Sequence, residues 1–242
     1  MIEIIDIKKD FENKPVLNGV NLSVQEGESH VIIGKSGCGK SVLLKIIIAL
    51  IKPNSGKVLI ENENIFQVPE KRLYEIRRKF GFLFQNAALF DSMTVEENIK
   101  LPLIENDFNL KESEIKNRVS EMLELVGLMN TEKLKPSELS GGMQKRVGLA
   151  RALITHPKYI LYDEPTTGLD PIMSDSIDAL IKDLNERLDV TSIIVTHDMF
   201  SVKNVAERIS MIHEGKIYFT GTFQEIISSA DPIIREFINR TT

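Results

Sequence analysis

The chain has 242 residues, 42% of them hydrophobic, with no tryptophan, a single cysteine and a formal charge of −5. That length supports one large α/β domain with its own core, and the acidic balance argues against broad electrostatic binding to nucleic acid or to an anionic membrane surface. The longest apolar run, Ile46 to Ile51, falls far short of the roughly 18 residues a membrane span needs, and a lone Cys38 excludes an internal disulfide and points to a reducing, cytoplasmic location.

Met1 to Asp6 mixes acids into its apolar residues and carries no basic region or cleavage signal, so a secretory peptide is not expected. Ile2, Ile4 and Ile7, and then Val20, Leu22 and Val24, recur at strand spacing around the turn segment Phe11 to Pro15, which predicts a small antiparallel sheet. Val31-Ile32-Ile33 then runs directly into Gly34-Lys35-Ser36-Gly37-Cys38-Gly39-Lys40-Ser41, followed by an apolar helical run from Val42. Strand, loop and helix follow in that order. The G-x-x-x-x-G-K-S spacing lets glycines adopt angles closed to other residues, so that consecutive N–H groups turn inward around an anion at a helix N-terminus. Lys40 is placed to reach β- and γ-phosphates and the Ser41 hydroxyl to ligate Mg²⁺, which reads as a nucleoside triphosphate site with contacts from Gly34 to Val42. Cys38, beside Lys40 and the helix start, is expected to have a lowered pKa and a reactive thiolate.

Gly56 to Ile60 follows the turn cluster Pro53 to Gly56 and reads as another strand, and Phe80 to Phe84 as a buried strand that delivers Gln85 at its end. From about Thr94 to Thr155 the spacing becomes helical, with Ile115, Val119, Met122 and Val126 on one face and Met143, Val147, Ala150 and Ile154 on another. Leu139-Ser140-Gly141-Gly142-Met143 opens the second of these helices. It reads either as a second anion site or as an N-cap serine with a glycine turn. Strands resume at Tyr159 to Tyr162 and Ser192 to Val195, around a helix opened by Asp170-Pro171 with Ile177, Leu180, Ile181, Leu184 and Leu188 on its apolar face. That alternation predicts a parallel sheet. The first of these strands presents Asp163 and Glu164 at its carboxyl end, where α/β sheets bind ligands, and His197 follows the second. A hairpin over Ile209 to Phe219 and a terminal helix over about 223–240 complete the chain.

These motifs, in this order, resemble the nucleotide-binding subunit of an ABC transporter from end to end. The resemblance identifies Gly34 to Ser41 as Walker A, Gln85 as the Q-loop glutamine, Leu139 to Met143 as the signature, Tyr159 to Asp163 as Walker B, Asp170 as the D-loop acid and His197 as the switch histidine. It implies an α/β P-loop NTPase fold with a RecA-type core and mostly parallel sheet, an N-terminal antiparallel β subdomain and an inserted α-helical subdomain, divided as core 1–90 and 156–225 and helical subdomain about 91–155. It further implies ATP hydrolysis by in-line attack of water, with the catalytic carboxylate Glu164 polarising that water, assisted by His197 and Gln85, and Mg²⁺ on Ser41, Gln85 and Asp163. Phe11 would stack on adenine. A head-to-tail homodimer would close Ser140, Gly141, Gly142 and Met143 of one copy on the ATP held by the other, with the chain peripheral on the cytoplasmic face of the membrane.

A narrower resemblance, to the ATPase of Mla-type, MCE-associated lipid transporters, lies in Ala87-Ala88-Leu89-Phe90, in Met143 after the signature glycines, and in Asp170-Pro171-Ile172. It implies permease subunits contacted through about Asn86 to Leu103 and an MCE-type substrate-binding protein as a further partner. Some members carry a longer tail that clasps the partner ATPase; with the sequence ending at Thr242, dimerisation through such a tail is not expected. An ATPase for an importer of amino acids or ions is the alternative. A GTPase is excluded because Asn13-Lys14-Pro15 precedes the phosphate loop, and a chromosome-type ABC ATPase because the length leaves no room for a coiled coil.

Overall fold

The computed structural model describes residues 1–106 and 108–241. The alternating apolar residues of β1 (Ile2–Phe11) and β2 (Lys14–Val24) are buried, and the strands pair antiparallel with Ile2 opposite Val24 and Ile4 opposite Leu22. β3 (Ser29–Ile33) leads through the phosphate loop into α1 (Lys40–Ile47). β4 (Ser55–Ile60) and the short β5 (Glu63–Asn64) extend the first sheet to the order β2-β1-β4-β5.

After α2 (Glu70–Arg77) and β6 (Phe80–Leu83), the chain leaves the sheet for α3 (Val95–Glu105), α4 (Glu112–Leu125) and α5 (Gly141–Leu153). It returns as β7 (Tyr159–Asp163), α6 (Pro171–Leu188), β8 (Thr191–Thr196), α7 (Met199–Val205), β9 (Arg208–His213) and β10 (Lys216–Gly221). The second sheet has the order β10-β9-β3-β8-β7-β6 and is parallel except for the edge strand β10.

Every residue of β3, β7 and β8 is buried, because both faces of this sheet are covered. Strand periodicity divides them between two cores. Val31, Ile33, Ile160, Tyr162 and Ile194 face the helices α3 to α7, whereas Ile32, Tyr159, Leu161, Ile193 and Val195 face α1 and the antiparallel sheet. The carboxyl ends of β3, β7 and β8 therefore emerge together at one edge of a rigid layer.

The terminal helix expected over about 223–240 is two helices, α8 (Phe223–Ser228) and α9 (Pro232–Thr241). Pro232 cannot continue α8, and Asp231 Oδ1 accepts from the N–H groups of Ile233 and Ile234, which starts α9 afresh. Leu188, expected on the apolar face of α6, is exposed at its last turn. Among the described residues no helix is long and apolar enough to cross a membrane.

Candidate nucleotide site

The phosphate loop takes the left-handed region at Gly37 (φ 76°) and Gly39 (φ 102°). A Cβ at Gly39 would sit 2.7 Å from Leu17 Cδ2, so only glycine lets α1 start against β2 here. Lys40, at the first position of α1, is buried and curls back, its Nζ donating to the carbonyls of Gly34 at 2.9 Å and Lys35 at 3.3 Å. The same ammonium lies 3.4 Å from Glu164 Oε1. One residue on, Ser41 Oγ donates to Asp163 Oδ1 at 2.6 Å, joining the start of α1 to the end of β7. Burial raises the Asp163 carboxyl pKa, opposed by the Ser41 hydrogen bond and by Lys45.

Glu164 follows Asp163 with φ at 50°, a left-handed conformation that a β strand cannot hold and that turns its side chain back over the site. Its N–H donates to Val195 O at 2.9 Å, which anchors the turn to the end of β8. Its carboxylate is almost fully buried and accepts from Thr167 Oγ1 at 2.9 Å, while His197 Nδ1 lies 2.7 Å from the same oxygen. Three segments, around Lys40, Glu164 with Thr167, and Val195 with His197, thus meet at one carboxylate.

The remaining expected residues divide. Lys35 points away from the loop to Glu236 on α9, at 3.1 Å. Ser36 and Gly37 are exposed, and Val42 is half-buried against the core on the antiparallel-sheet side. Phe11 is 43% exposed, with Lys9 Nζ 5.0 Å from the centre of its ring. Ser140 caps α5, accepting from Met143 N at 3.3 Å, and Asp170 caps α6, accepting from Met173 N at 3.0 Å. Gly141 is exposed, while Gly142 abuts Met173, whose Cε lies 2.0 Å from where a Cβ would stand. Gln85 is exposed beyond β6.

The expectation for Cys38 is overturned. Its thiol is largely enclosed beside Gly34, and burial pushes its pKa up, outweighing the pull of Lys40.

The family profile described as ABC transporter matches residues 17–167, more than half of the chain. The chain belongs to the ABC transporter family. It is 42% identical over 238 residues to the probable ribonucleotide transport ATP-binding protein mkl of Mycobacterium leprae (strain TN), an alignment covering 98% of this chain and 68% of that protein. It is 40% identical over 238 residues to the methionine import ATP-binding protein MetN of Legionella pneumophila (strain Lens), covering 98% and 69%. Against these and further mycobacterial relatives the chain spans about two thirds of their length. A solved ATP-binding cassette, a post-hydrolysis dimer bound to ADP and Pi, superposes with a TM-score of 0.84 at 36% identity, covering 92% of this chain and 99% of that one.

This ABC transporter chain is an ATP-binding subunit and an ATPase, with ATP as substrate and Mg²⁺ as cofactor. The donor set fits the metal: the hydroxyl and carboxylate oxygens of Ser41 and Asp163, 2.6 Å apart, are hard ligands suited to Mg²⁺. The loop fits the phosphates. A Cβ at Gly37 would meet nothing within 4 Å, so the cradle opens outward there, and a buried ammonium waits on main-chain carbonyls at its base.

Beside the site, a groove of about 540 Å³ opens between β6 and the helices, lined among others by Phe82, Phe84, Ala88, Phe90, Leu101 and Pro102. The stretch Asn86 to Leu103 expected to meet a partner is therefore mixed. Ala88 and Phe90, the latter 51% exposed, face the groove, whereas Val95 and Ile99 are fully buried and Leu89 packs on the core.

Two contributors escaped the sequence reading. Thr167 lies three residues after Glu164, one turn on, and is visible only once that turn is known. Asn98, fully buried, accepts from Phe90 N and donates to the carbonyls of Phe90, Met93 and Thr94, which folds the loop behind the groove. A lone polar residue on the apolar face of α3 was its available signal.

Proposed function

We propose that this chain hydrolyses MgATP at the Lys40–Ser41–Asp163–Glu164–His197 cluster to drive a membrane permease seated in the groove beside it, and that the cargo is a lipid handled by an Mla-type, MCE-associated system. The carrying observation is the convergence of Lys40, Thr167 and His197 on the buried carboxylate of Glu164. In this reading the chain divides into a core of 1–90 and 156–225, a helical subdomain of about 91–155 and a C-terminal segment of about 223–240.

The phosphate loop from Gly34 to Val42 holds the triphosphate, Lys40 exchanging its main-chain carbonyls and Glu164 for β- and γ-oxygens. Phe11 stacks on adenine. Ser41, Gln85 and Asp163 would hold Mg²⁺, which would supply positive charge to the phosphates. Release of Lys40 frees Glu164 Oε1, which then accepts a proton from the attacking water. His197, anchored through Nδ1, keeps its other nitrogen for the γ-phosphate. Ser140, Gly141, Gly142 and Met143 of a second copy close over the ATP and Asp170 lies along the contact, in keeping with the dimeric cassette it resembles.

Lipid cargo is supported by the Ala87 to Phe90 run, which presents Ala88 and Phe90 to the groove, and by Met143 and Ile172, the latter 81% exposed. A second reading, an importer of amino acids or ions, is favoured by the likeness to a methionine import ATPase. Affinity purification of the tagged chain from solubilised membranes, followed by proteomics and lipid analysis, separates them. Recovery of a permease with an MCE-type protein and lipid supports the first; recovery of a permease with a soluble solute-binding protein replaces it.

A further inference from the structure

Lys145 lies on α5, one turn after the Ser140 cap, and is almost fully buried. Its Nζ forms no ion pair among the described residues. It donates to two main-chain carbonyls, those of Gln85 and, at 3.3 Å, Glu164. A buried ammonium is costly to desolvate, and burial lowers its pKa accordingly. Methionine would fill similar space without that cost. What the charge adds is a rigid link between two backbone turns.

Both turns need holding. Glu164 is left-handed, its N–H tied to Val195 and its carbonyl side tied by Lys145. Beyond Gln85, Ala87 and Ala88 are left-handed too, at φ 56° and 48°, and their carbonyls accept from Arg151, two turns along the same helix, at 2.6 and 2.8 Å. One helix face thus grips the groove-lining loop at three carbonyls and the Glu164 turn at a fourth.

We propose that Lys145 is a positioning residue that fixes the Glu164 turn in its reactive orientation and ties that orientation to the loop lining the groove. This rests on Glu164 being the base. A shift of the loop at Gln85 withdraws one acceptor from Lys145 and reorients the Glu164 carbonyl. Lys145 has no bond to the phosphate loop, so it acts on turnover and not on ATP affinity.

The test compares Lys145→Met, Lys145→Gln and Lys145→Arg in the full chain, by steady-state ATPase kinetics, fluorescent-nucleotide binding and thermal unfolding, with Glu164→Gln in parallel. Lys145→Met is expected to lower kcat at least tenfold with KM and nucleotide Kd within about twofold, and Lys145→Arg, which can donate to both carbonyls, to recover most of it. The proposal is overturned by a kcat within threefold of wild type in Lys145→Met, by an equal loss in nucleotide affinity, or by no recovery in Lys145→Arg. If Lys145→Met does not unfold cooperatively, Lys145→Gln is read by the same criteria, and failure of both to fold makes the role structural and overturns it. Near-normal turnover in Glu164→Gln instead removes the base assignment, whatever the Lys145 variants do.

Discussion

His197 Nδ1 lies 2.7 Å from Glu164 Oε2, joining the ends of β8 and β7 across residues 33 apart in sequence. The pair holds the carboxylate on its far oxygen and leaves Oε1 to Lys40. A ligand that draws Lys40 away therefore frees one carboxylate oxygen while the other stays fixed.

Glu164→Gln keeps the shape, but its amide offers one acceptor oxygen where the carboxylate takes Lys40 on Oε1 and Thr167 on Oε2, and it cannot take a proton. Turnover is expected to fall at least 100-fold with ATP affinity within a few-fold of wild type, and ATP-dependent dimers should accumulate in light scattering. Turnover within tenfold of wild type would remove Glu164 from the role of base.

Cys38 is expected to react slowly. With its pKa raised by burial, its thiolate fraction at pH 7 falls below that of an exposed thiol and grows only as pH rises past the usual thiol range. Maleimide labelling should be several-fold slower than for glutathione at pH 7, rise steeply by pH 9, and slow further with MgATP. Labelling at the glutathione rate at pH 7 would contradict the enclosure of this thiol.

Ala88→Glu places a charge on the rim of the groove, where Ala88 is exposed and left-handed. Permease copurification and permease-stimulated ATPase activity should fall at least fivefold, with ATP binding unchanged. The left-handed backbone is already borne by a residue with a Cβ, so Tm should shift by no more than about 2–3 °C. A larger loss of Tm, or intact copurification, would place the docking surface elsewhere.

Asp178, buried on α6, has no hydrogen-bond partner for Oδ1 among the described residues, and desolvation raises its pKa to about 6, with Asp198 and Asp175 adding to the rise and Ser201 and Asn204 opposing it. Because the folded pKa exceeds the unfolded one, the folded state holds the proton more tightly. Stability is therefore favoured at low pH and lost as pH rises through about 6. Asp178→Asn removes the charge, so it should raise Tm by about 2–6 °C at pH 8, corresponding to about 1–2 kcal/mol, and leave it unchanged near pH 4. Differential scanning calorimetry across that range measures it; equal effects at both ends would mean the carboxyl is ionised throughout at no cost.

Local order in the chain already determined the phosphate loop, the strand ending at Asp163 and Glu164, and the capped helices after Ser140 and Asp170, because spacing, caps and glycine positions act over a few residues. The β1/β2 pair and the β9/β10 hairpin were legible for the same reason. The break at Asp231-Pro232 carried its signal too, but the apolar spacing on either side ran through it. α2 and β5 carried too little periodicity to be read.

Tertiary structure decided what distance in sequence conceals. Whether Cys38 is activated depends on how much of it the surrounding turn encloses, and enclosure outweighed the neighbouring ammonium. Which residues of the run after Gln85 pack inward was decided residue by residue, Leu89 against the core and Ala88 and Phe90 lining the groove. α5 is buried on more than the single face that Met143, Val147, Ala150 and Ile154 mark, since Gly148 and Ala152 let β6 and its loop pack on another side, and that is how a lysine at position 145 came to lie between two carbonyls. Contacts of this kind join segments tens of residues apart, and only the closed sheet with both faces covered brings them together.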